Sequence, residues 1–339
     1  MTPPPFTITP RILALVADIA VATERVTAQA KRMTPKLRRG NRIRTIQASL
    51  AIEQNTLTQE QVTALLDGKR VLGAPREIQE VRNAFAAYEA LETWNPSKEA
   101  DMLAAHGILM HGRGDRAGKY RTGAVGITQG QKVVHMAPPA GRVSGLMQNL
   151  MAWLAAAEVH PLVASCVFHY EFEFIHPFQD GNGRMGRLWQ TLILSRWNPL
   201  FAWLPVESVV RDRQADYYAV LGRCDKAGNS TEFVEFLLEA ILSALQELQR
   251  VEQVAEQVTE QVVSLLRALG AREMGTRDLM KALNLSHRPT FLANYLDPAL
   301  KAGLVERTDP DSPRSPRQKY RLTGLGLKLA NARRKKVDE

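Results

Sequence analysis

Two apolar runs with helical spacing, Leu162–Phe174 and Asn182–Trp197, are parted by a stretch that no helix can cross, His176-Pro177-Phe178-Gln179-Asp180-Gly181. Proline lacks a backbone donor and glycine relaxes the backbone, so the pattern demands a loop that opens a helix between two buried helices. The loop runs on into Asn182-Gly183-Arg184-Met185-Gly186-Arg187. Glycines there let backbone N–H groups come close to a ligand. At a helix N-terminus, unpaired donors and the helix dipole together attract phosphate. Arg184 and Arg187 lie three residues apart and share a helix face, suited to gripping phosphate oxygens. Asp180 is a hard oxygen ligand of the kind that holds Mg²⁺ jointly with nucleotide phosphates. His176 can accept a proton near neutral pH. Together they describe phosphoryl or nucleotidyl transfer to a protonated nucleophile. The plainer alternative is a loop whose His, Asp and Asn only cap helices, and the co-occurrence of base, carboxylate, anion nest and two arginines argues against it.

The rest of the chain reads mainly as helix. Arg11–Val26 has helical apolar spacing. A basic stretch, Lys31 to Arg44, precedes Ile46–Ile52. Thr58 with Gln61 three residues on predicts a capping box. Arg76–Leu91 resumes the helical pattern, and Asn95-Pro96-Ser97 predicts the cap of a helix through Met110. Between Gly112 and Gly141 the glycines crowd, and Val125–Thr128 and Lys132–His135 predict a hairpin about Gln129-Gly130. Helices return at Val143–Ala157, Arg211–Asp225 and Thr231–Arg250, the last running into Val251–Leu269 without a clear stop. There Val254, Val258 and Val262 form one stripe at i,i+4 spacing, read as a long helix packing on a neighbouring domain rather than as a dimer seam.

The run at 176–187 resembles the signature of the Fic family, His-Pro-Phe-x-Asp/Glu-Gly-Asn-Gly-Arg-x-x-Arg, at every specified position. Phe168-His169-Tyr170-Glu171-Phe172 before it, and Tyr217-Tyr218 and Phe233–Leu238 after it, agree with the resemblance. It implies a mainly α fold, a Fic-type helical bundle with a β-hairpin flap, followed by a C-terminal winged-helix domain. It implies transfer of AMP from ATP to a Tyr, Ser or Thr hydroxyl of a protein. His176 would deprotonate that hydroxyl, Phe178 anchor the loop, and Asp180 hold Mg²⁺. Asn182 and the N–H groups around Gly181 and Gly183 would cradle the α- and β-phosphates. Arg184 would take the β- and γ-phosphates and Arg187 the γ-phosphate. The 123–137 hairpin would be the flap on which an extended target docks, with modification of the chain itself a further outcome.

Ser49-Leu50-Ala51-Ile52-Glu53 resembles the family's inhibitory helix. Ser49 and Glu53 stand one turn apart, and Glu53 would pair with Arg187 and so compete with the γ-phosphate. Residue 54 departs from the pattern, being Gln where Gly or Asn is usual. A glutamate there is also placed to activate water against an AMP–protein bond.

The domain boundaries expected are 1–95 for an N-terminal helical region with the inhibitory helix, 96–250 for the catalytic domain, 251–270 for a linker helix, and 271–339 for a winged helix with a basic tail. In that last region Thr276–Leu283, Ser286–Leu296 and Pro298–Ala302 predict helices, and Leu304–Thr308 with Lys319–Thr323 a hairpin. A net charge of +9 favours anionic partners without choosing among them. Arg288, Lys301, Arg314, Arg317 and Arg333-Arg334-Lys335-Lys336 are placed to meet DNA phosphates. The competing reading is therefore a DNA-binding regulator whose Fic domain only senses nucleotide. Dimerisation or target recognition are the other roles for this module, and a homodimer is expected. The two cysteines, Cys166 and Cys224, offer no disulfide framework and no metal spacing, which suits reduced thiols in the cytoplasm. The apolar segment Ile12–Ala22 is too short to span a bilayer. The spacings of His160, His169 and His176 fit no zinc pattern, His169 reads as a packed helix residue, and His106 and His111 carry no clear signal.

Overall fold

The computed structural model describes residues 3–30, 35–114, 116–129, 132–312, 315 and 317–333. The chain forms two compact units, one through Leu245 and one from Gln246.

The first unit is built of helices. They are α1 (Pro10–Ala30), α2 (Pro35–Ile52), α3 (Gln59–Leu66), α4 (Pro75–Glu89), α5 (Glu99–Leu109), α6 (Ala140–Ala156), α7 (Pro161–Ile175), α8 (Asn182–Trp197), α9 (Val206–Asp212), α10 (Gln214–Ala227) and the first half of α11 (Thr231–Gln257). At the centre α7 lies on α8. Phe168, Phe172, Leu188 and Trp189 are fully buried there, as expected of helices apolar nearly all round. Around this pair, α1 buries Ile12, Ile19 and Val26, and α2 buries Ile43, Ile46 and Leu50. The α2 helix packs on α4, α8 and α9, which sets its C-terminal end beside the start of α8.

Local rules account for most of the helix ends. Thr58 Oγ1 accepts the Gln61 N–H at 3.2 Å and Gln61 Oε1 accepts the Thr58 N–H at 2.9 Å, the expected capping box. The Asn95 cap is not formed. The α5 helix starts at Glu99, and the Asn95 side chain instead accepts from the Ser97 N–H at 2.9 Å in a turn of its own. The expected helix Arg211–Asp225 is two helices, α9 and α10, parted at Arg213. The basic stretch before Ile46 enters α2, where Arg39 meets Asp67 at 2.9 Å and Arg42 meets Glu89 at 2.7 Å, so part of the positive charge is already paired.

The hairpin forms from β1 (Gly126–Gln129) and β2 (Lys132–Met136), antiparallel, with Gly126 opposite Met136 and an irregular register between Ile127 and Thr128. Gly130 of its expected turn lies outside the described residues.

The second unit contains the end of α11, then α12 (Glu260–Leu269), β3 (Met274–Gly275), α13 (Thr276–Ala282), α14 (Arg288–Phe291) with a wider turn through Leu296, α15 (Asp297–Lys301), β4 (Val305–Arg307), β5 (Lys319–Leu322) and α16 (Gly324–Arg333). The strands form an antiparallel sheet in the order β3-β5-β4, and Leu265, Leu266, Leu269, Phe291 and Leu304 are fully buried in its core. Within residues 251–270, read as a linker helix, α12 packs into that core. The helix also stops where no stop was read. It ends at Gln257, and Thr259 caps α12 by accepting the Val262 N–H. The valine stripe is therefore split between two helices, yet Val254, Val258 and Val262 all reach the same core. The helix α16, which contains Gly324 and Gly326, was not anticipated from the sequence. Among the described residues no helix is long and apolar enough to cross a membrane.

Candidate active site

The motif loop is held from inside. Phe178 is fully buried and stacks on the His106 ring, 3.6 Å between centroids and 4° between planes, with Tyr120 and Phe172 also against it. His106 had no sequence signal. Its Nδ1 accepts the Gly118 N–H at 2.9 Å, so the proton sits on Nε2, which donates to the Asp180 carbonyl at 3.0 Å. Burial drives its pKa down to about 4 and keeps the ring neutral, as this pairing needs.

The Asn182 amide turns inward. Its side chain is 2% exposed and does not face a ligand. The amide closes a ring with Phe178 instead, accepting the Phe178 N–H at 2.9 Å and donating to its carbonyl at 2.9 Å. What Asn182 offers an anion is its backbone position in the first turn of α8, where N–H groups have no partner inside the helix. Gly181 precedes it with φ +84°, a conformation that costs other residues about 1–2 kcal/mol, and a Cβ there would strike Met110.

His176 caps the C-terminus of α7 in a left-handed conformation, φ 50°. Its Nδ1 lies 3.3 Å from the Glu173 carbonyl and 4.0 Å from Glu173 Oε2. In the tautomer that donates from Nδ1 to that carbonyl, Nε2 is the nitrogen that can accept a proton. The backbone on either side is pinned by Arg121, which is 2% exposed. Its Nε donates to the His176 carbonyl at 2.8 Å, and its Nη atoms donate to the carbonyls of Gly123 (2.9 Å), Pro138 (2.5 Å) and Ile175 (3.3 Å). One guanidinium thus ties both ends of the hairpin segment to the catalytic loop. The sequence reading missed it because its partners are main-chain atoms far along the chain.

Asp180 is 52% exposed at its side chain. Its Oδ1 accepts from the Gly181 N–H at 2.6 Å and from Arg184 Nη2 at 2.9 Å, and its Oδ2 accepts from Arg113 Nη2 at 3.0 Å. Partial burial pushes its pKa up, but Arg184 and Arg113 outweigh that and hold it below the ordinary range. Arg184 is 5% exposed, and its Nε is buried with no hydrogen-bond partner among the described residues. An orphaned guanidinium N–H beside open helix N-terminal donors fits an arriving anion. Among the described residues no three His, Cys, Asp or Glu side chains gather to hold a metal. One exposed carboxylate next to a phosphate seat fits Mg²⁺ in the mode that borrows phosphate oxygens and water for its remaining ligands.

Arg187 does not face open space. Its Nε donates to Ser49 Oγ at 3.0 Å, and Nη2 donates to the Ser49 carbonyl at 3.0 Å and to Glu53 Oε1 at 2.8 Å. Burial alone would lower its pKa, but the Glu53 carboxylate reverses the direction and raises it. The Glu53 carboxylate lies directly against Gly183: a Cβ at that glycine would collide with it. The Glu53 side chain, one residue past the end of α2, thus fills the space over the first turn of α8 and occupies the arginine behind it. His169, read as packed, is fully buried, bonded to Gln190 at 2.8 Å and to the Tyr217 hydroxyl at 3.1 Å.

Beyond Glu53 the helix turns off at Gln54, φ 68°, with the Asn55 N–H bonded to the Leu50 carbonyl at 3.1 Å. The left-handed end that glycine usually supplies is here adopted by glutamine. Gln54→Gly is expected to remove about 1 kcal/mol of that strain, offset in part by glycine's greater freedom when unfolded. A rise of a few degrees in the thermal midpoint checks it, and a fall in the midpoint contradicts it.

A crystal structure of a Fic family protein from Desulfovibrio desulfuricans G20 superimposes on this chain with a TM-score of 0.73, at 62% sequence identity, covering 95% of this chain and 99% of that one. The chain belongs to the Fic family. The Fic/DOC family profile matches residues 96–194, and the profile of the Filamentation induced by cAMP protein Fic-like C-terminal domain matches residues 260–323. Protein adenylyltransferase fic-1 of Caenorhabditis elegans is 31% identical over 210 residues, and Protein adenylyltransferase Fic of Nematostella vectensis 29% identical over 201. Those alignments take in 58% and 56% of this Fic chain, which spans only 39% and 44% of the length of the two relatives.

Proposed function

We propose that this Fic protein transfers AMP from ATP to a hydroxyl of a protein, and that Glu53 restrains it. The observation that carries the reading is the pairing of one arginine with α2. The side chain that suits a γ-phosphate is held by Ser49 and Glu53 beside Gly183, on the helix that follows the His176 loop. The relatives named protein adenylyltransferase support the chemistry.

In the reaction, the target hydroxyl gives its proton to His176 Nε2 as its oxygen attacks the α-phosphorus. The bond from that phosphorus to the bridging oxygen breaks, and pyrophosphate leaves. The first turn of α8 receives phosphate oxygens on backbone N–H groups of residues 182–184, and Arg184 and Arg187 neutralise the outer phosphates. Asp180 would hold Mg²⁺, which when bound supplies charge neutralisation on the phosphates. The β1–β2 hairpin is the proposed docking edge, since an extended segment can add to an open strand.

Transfer of AMP rather than phosphate has a direct test. ATP labelled at the α-phosphorus is expected to label protein, including this chain itself, and ATP labelled at the γ-phosphorus is not. Label arriving only from the γ-position means phosphate transfer. On the second unit, Arg321 is already paired with Glu306 at 2.7 Å and Glu273 at 3.3 Å. Arg314 and the 334–336 part of the tail lie outside the described residues.

A further inference from the structure

A second carboxylate stands behind Asp180. Glu80, on α4, is 8% exposed and reaches three arginines and one amide. Its Oε1 contacts Arg113 Nη1 directly and lies 3.8 Å from Arg184 Nη1 and 3.6 Å from Arg76 Nε. Its Oε2 accepts from Asn55 Nδ2 at 2.9 Å. Arg113 and Arg184 are the two guanidiniums that grip Asp180. The four groups therefore alternate in sign, two carboxylates and two guanidiniums, with Asp180 the member at the open side.

The alternation matters because Asp180 has two suitors. A divalent cation can take it only if the guanidiniums let go, and a released buried guanidinium needs another counter-charge close by. Glu80 is that counter-charge. We propose that Glu80 is a positioning residue that leaves Asp180 exchangeable, receiving Arg113 when a divalent cation displaces it while Arg184 turns to the outer phosphates. Asn55 joins the same carboxylate to the turn that follows Glu53, so the seat and the end of α2 share one anchor.

The inference rests on the adenylylation reading, and its test uses binding rather than activity. Glu80→Gln removes one negative charge beside two cations. Free ATP, an anion, gains from that change, while Mg²⁺ at Asp180 loses. A residue that only stabilised the fold would weaken both together.

The measurement is ATP affinity by calorimetry, in excess Mg²⁺ and in EDTA, on the full chain carrying Glu53→Gly. Adding Glu80→Gln is expected to cut the Mg²⁺-dependent tightening by about tenfold or more, while affinity in EDTA holds or rises. Adding Arg113→Gln as well is expected to restore the tightening, because the charge balance returns. An unchanged tightening, or equal losses with and without Mg²⁺, overturns the proposal. Should Glu80→Gln fail to fold, Arg113→Gln alone decides the matter. Removing one competitor for Asp180 should strengthen the Mg²⁺ effect, and no change or a loss overturns it. A Glu53→Gly parent that binds no ATP in either buffer removes the adenylylation reading and this inference with it. A parent that binds ATP leaves the two separately judged.

Discussion

Glu53→Gly is expected to raise AMP incorporation about a hundredfold over the unchanged chain. The size follows from what the carboxylate does. It is one of three acceptors around a guanidinium that is 3% exposed, and it covers the first turn of α8. Breaking a buried ion pair usually costs about 3–5 kcal/mol. Glu53 is 30% exposed at its side chain, which lowers that figure. Taking about 2–3 kcal/mol as the preference for the held state gives one to two decades in rate, at about 1.4 kcal/mol per decade. The gain should lie in kcat more than in the KM for ATP, because nucleotide can enter while its α-phosphorus is misplaced. Initial rates of labelling against ATP concentration measure both. Labelling no faster than the unchanged chain would mean that the α2 contact is architectural.

His176→Ala is expected to lower the rate of the Glu53→Gly protein by about three orders of magnitude, within the usual contribution of a positioned base. ATP affinity should not change, since the phosphates are proposed to be held by the first turn of α8, Arg184 and Arg187 rather than by the imidazole. The backbone there is secured independently by Arg121 and by the Phe178–Asn182 ring. A variant that keeps its melting temperature and ATP affinity while losing turnover identifies the base. A variant that labels protein like its parent removes His176 from the mechanism.

The chemistry was readable because it is contiguous. The residues proposed as phosphate seat, base and metal carboxylate lie within one loop and one helix turn, so their spacing alone restricts the chemistry that can be proposed for them. The hairpin and the capping box at Thr58 were readable for the same reason, each being a local pattern. What could not be read is whatever depends on distant chain meeting that loop. Arg121, His106, Arg113 and Glu80 carry no local pattern, and their partners are carbonyls, a ring face and charges far away in sequence. Asn182 is the reverse case: its amide holds Phe178, so the phosphate role expected of residue 182 rests on its backbone N–H. The missed break after Gln257 has a similar root. Glu-Gln-Val repeats favour helix on either side, and only the Thr259 cap marks the interruption.

The Arg121 bonds make the segment between Gly123 and Pro138 an insert with both of its feet bolted to the same plate as the base. Its length, its tip and the residues it displays can be exchanged in the course of evolution without moving the imidazole. On the proposal that this segment docks the target, chemistry and choice of client are separable, and swapping it between relatives should redirect modification rather than abolish it.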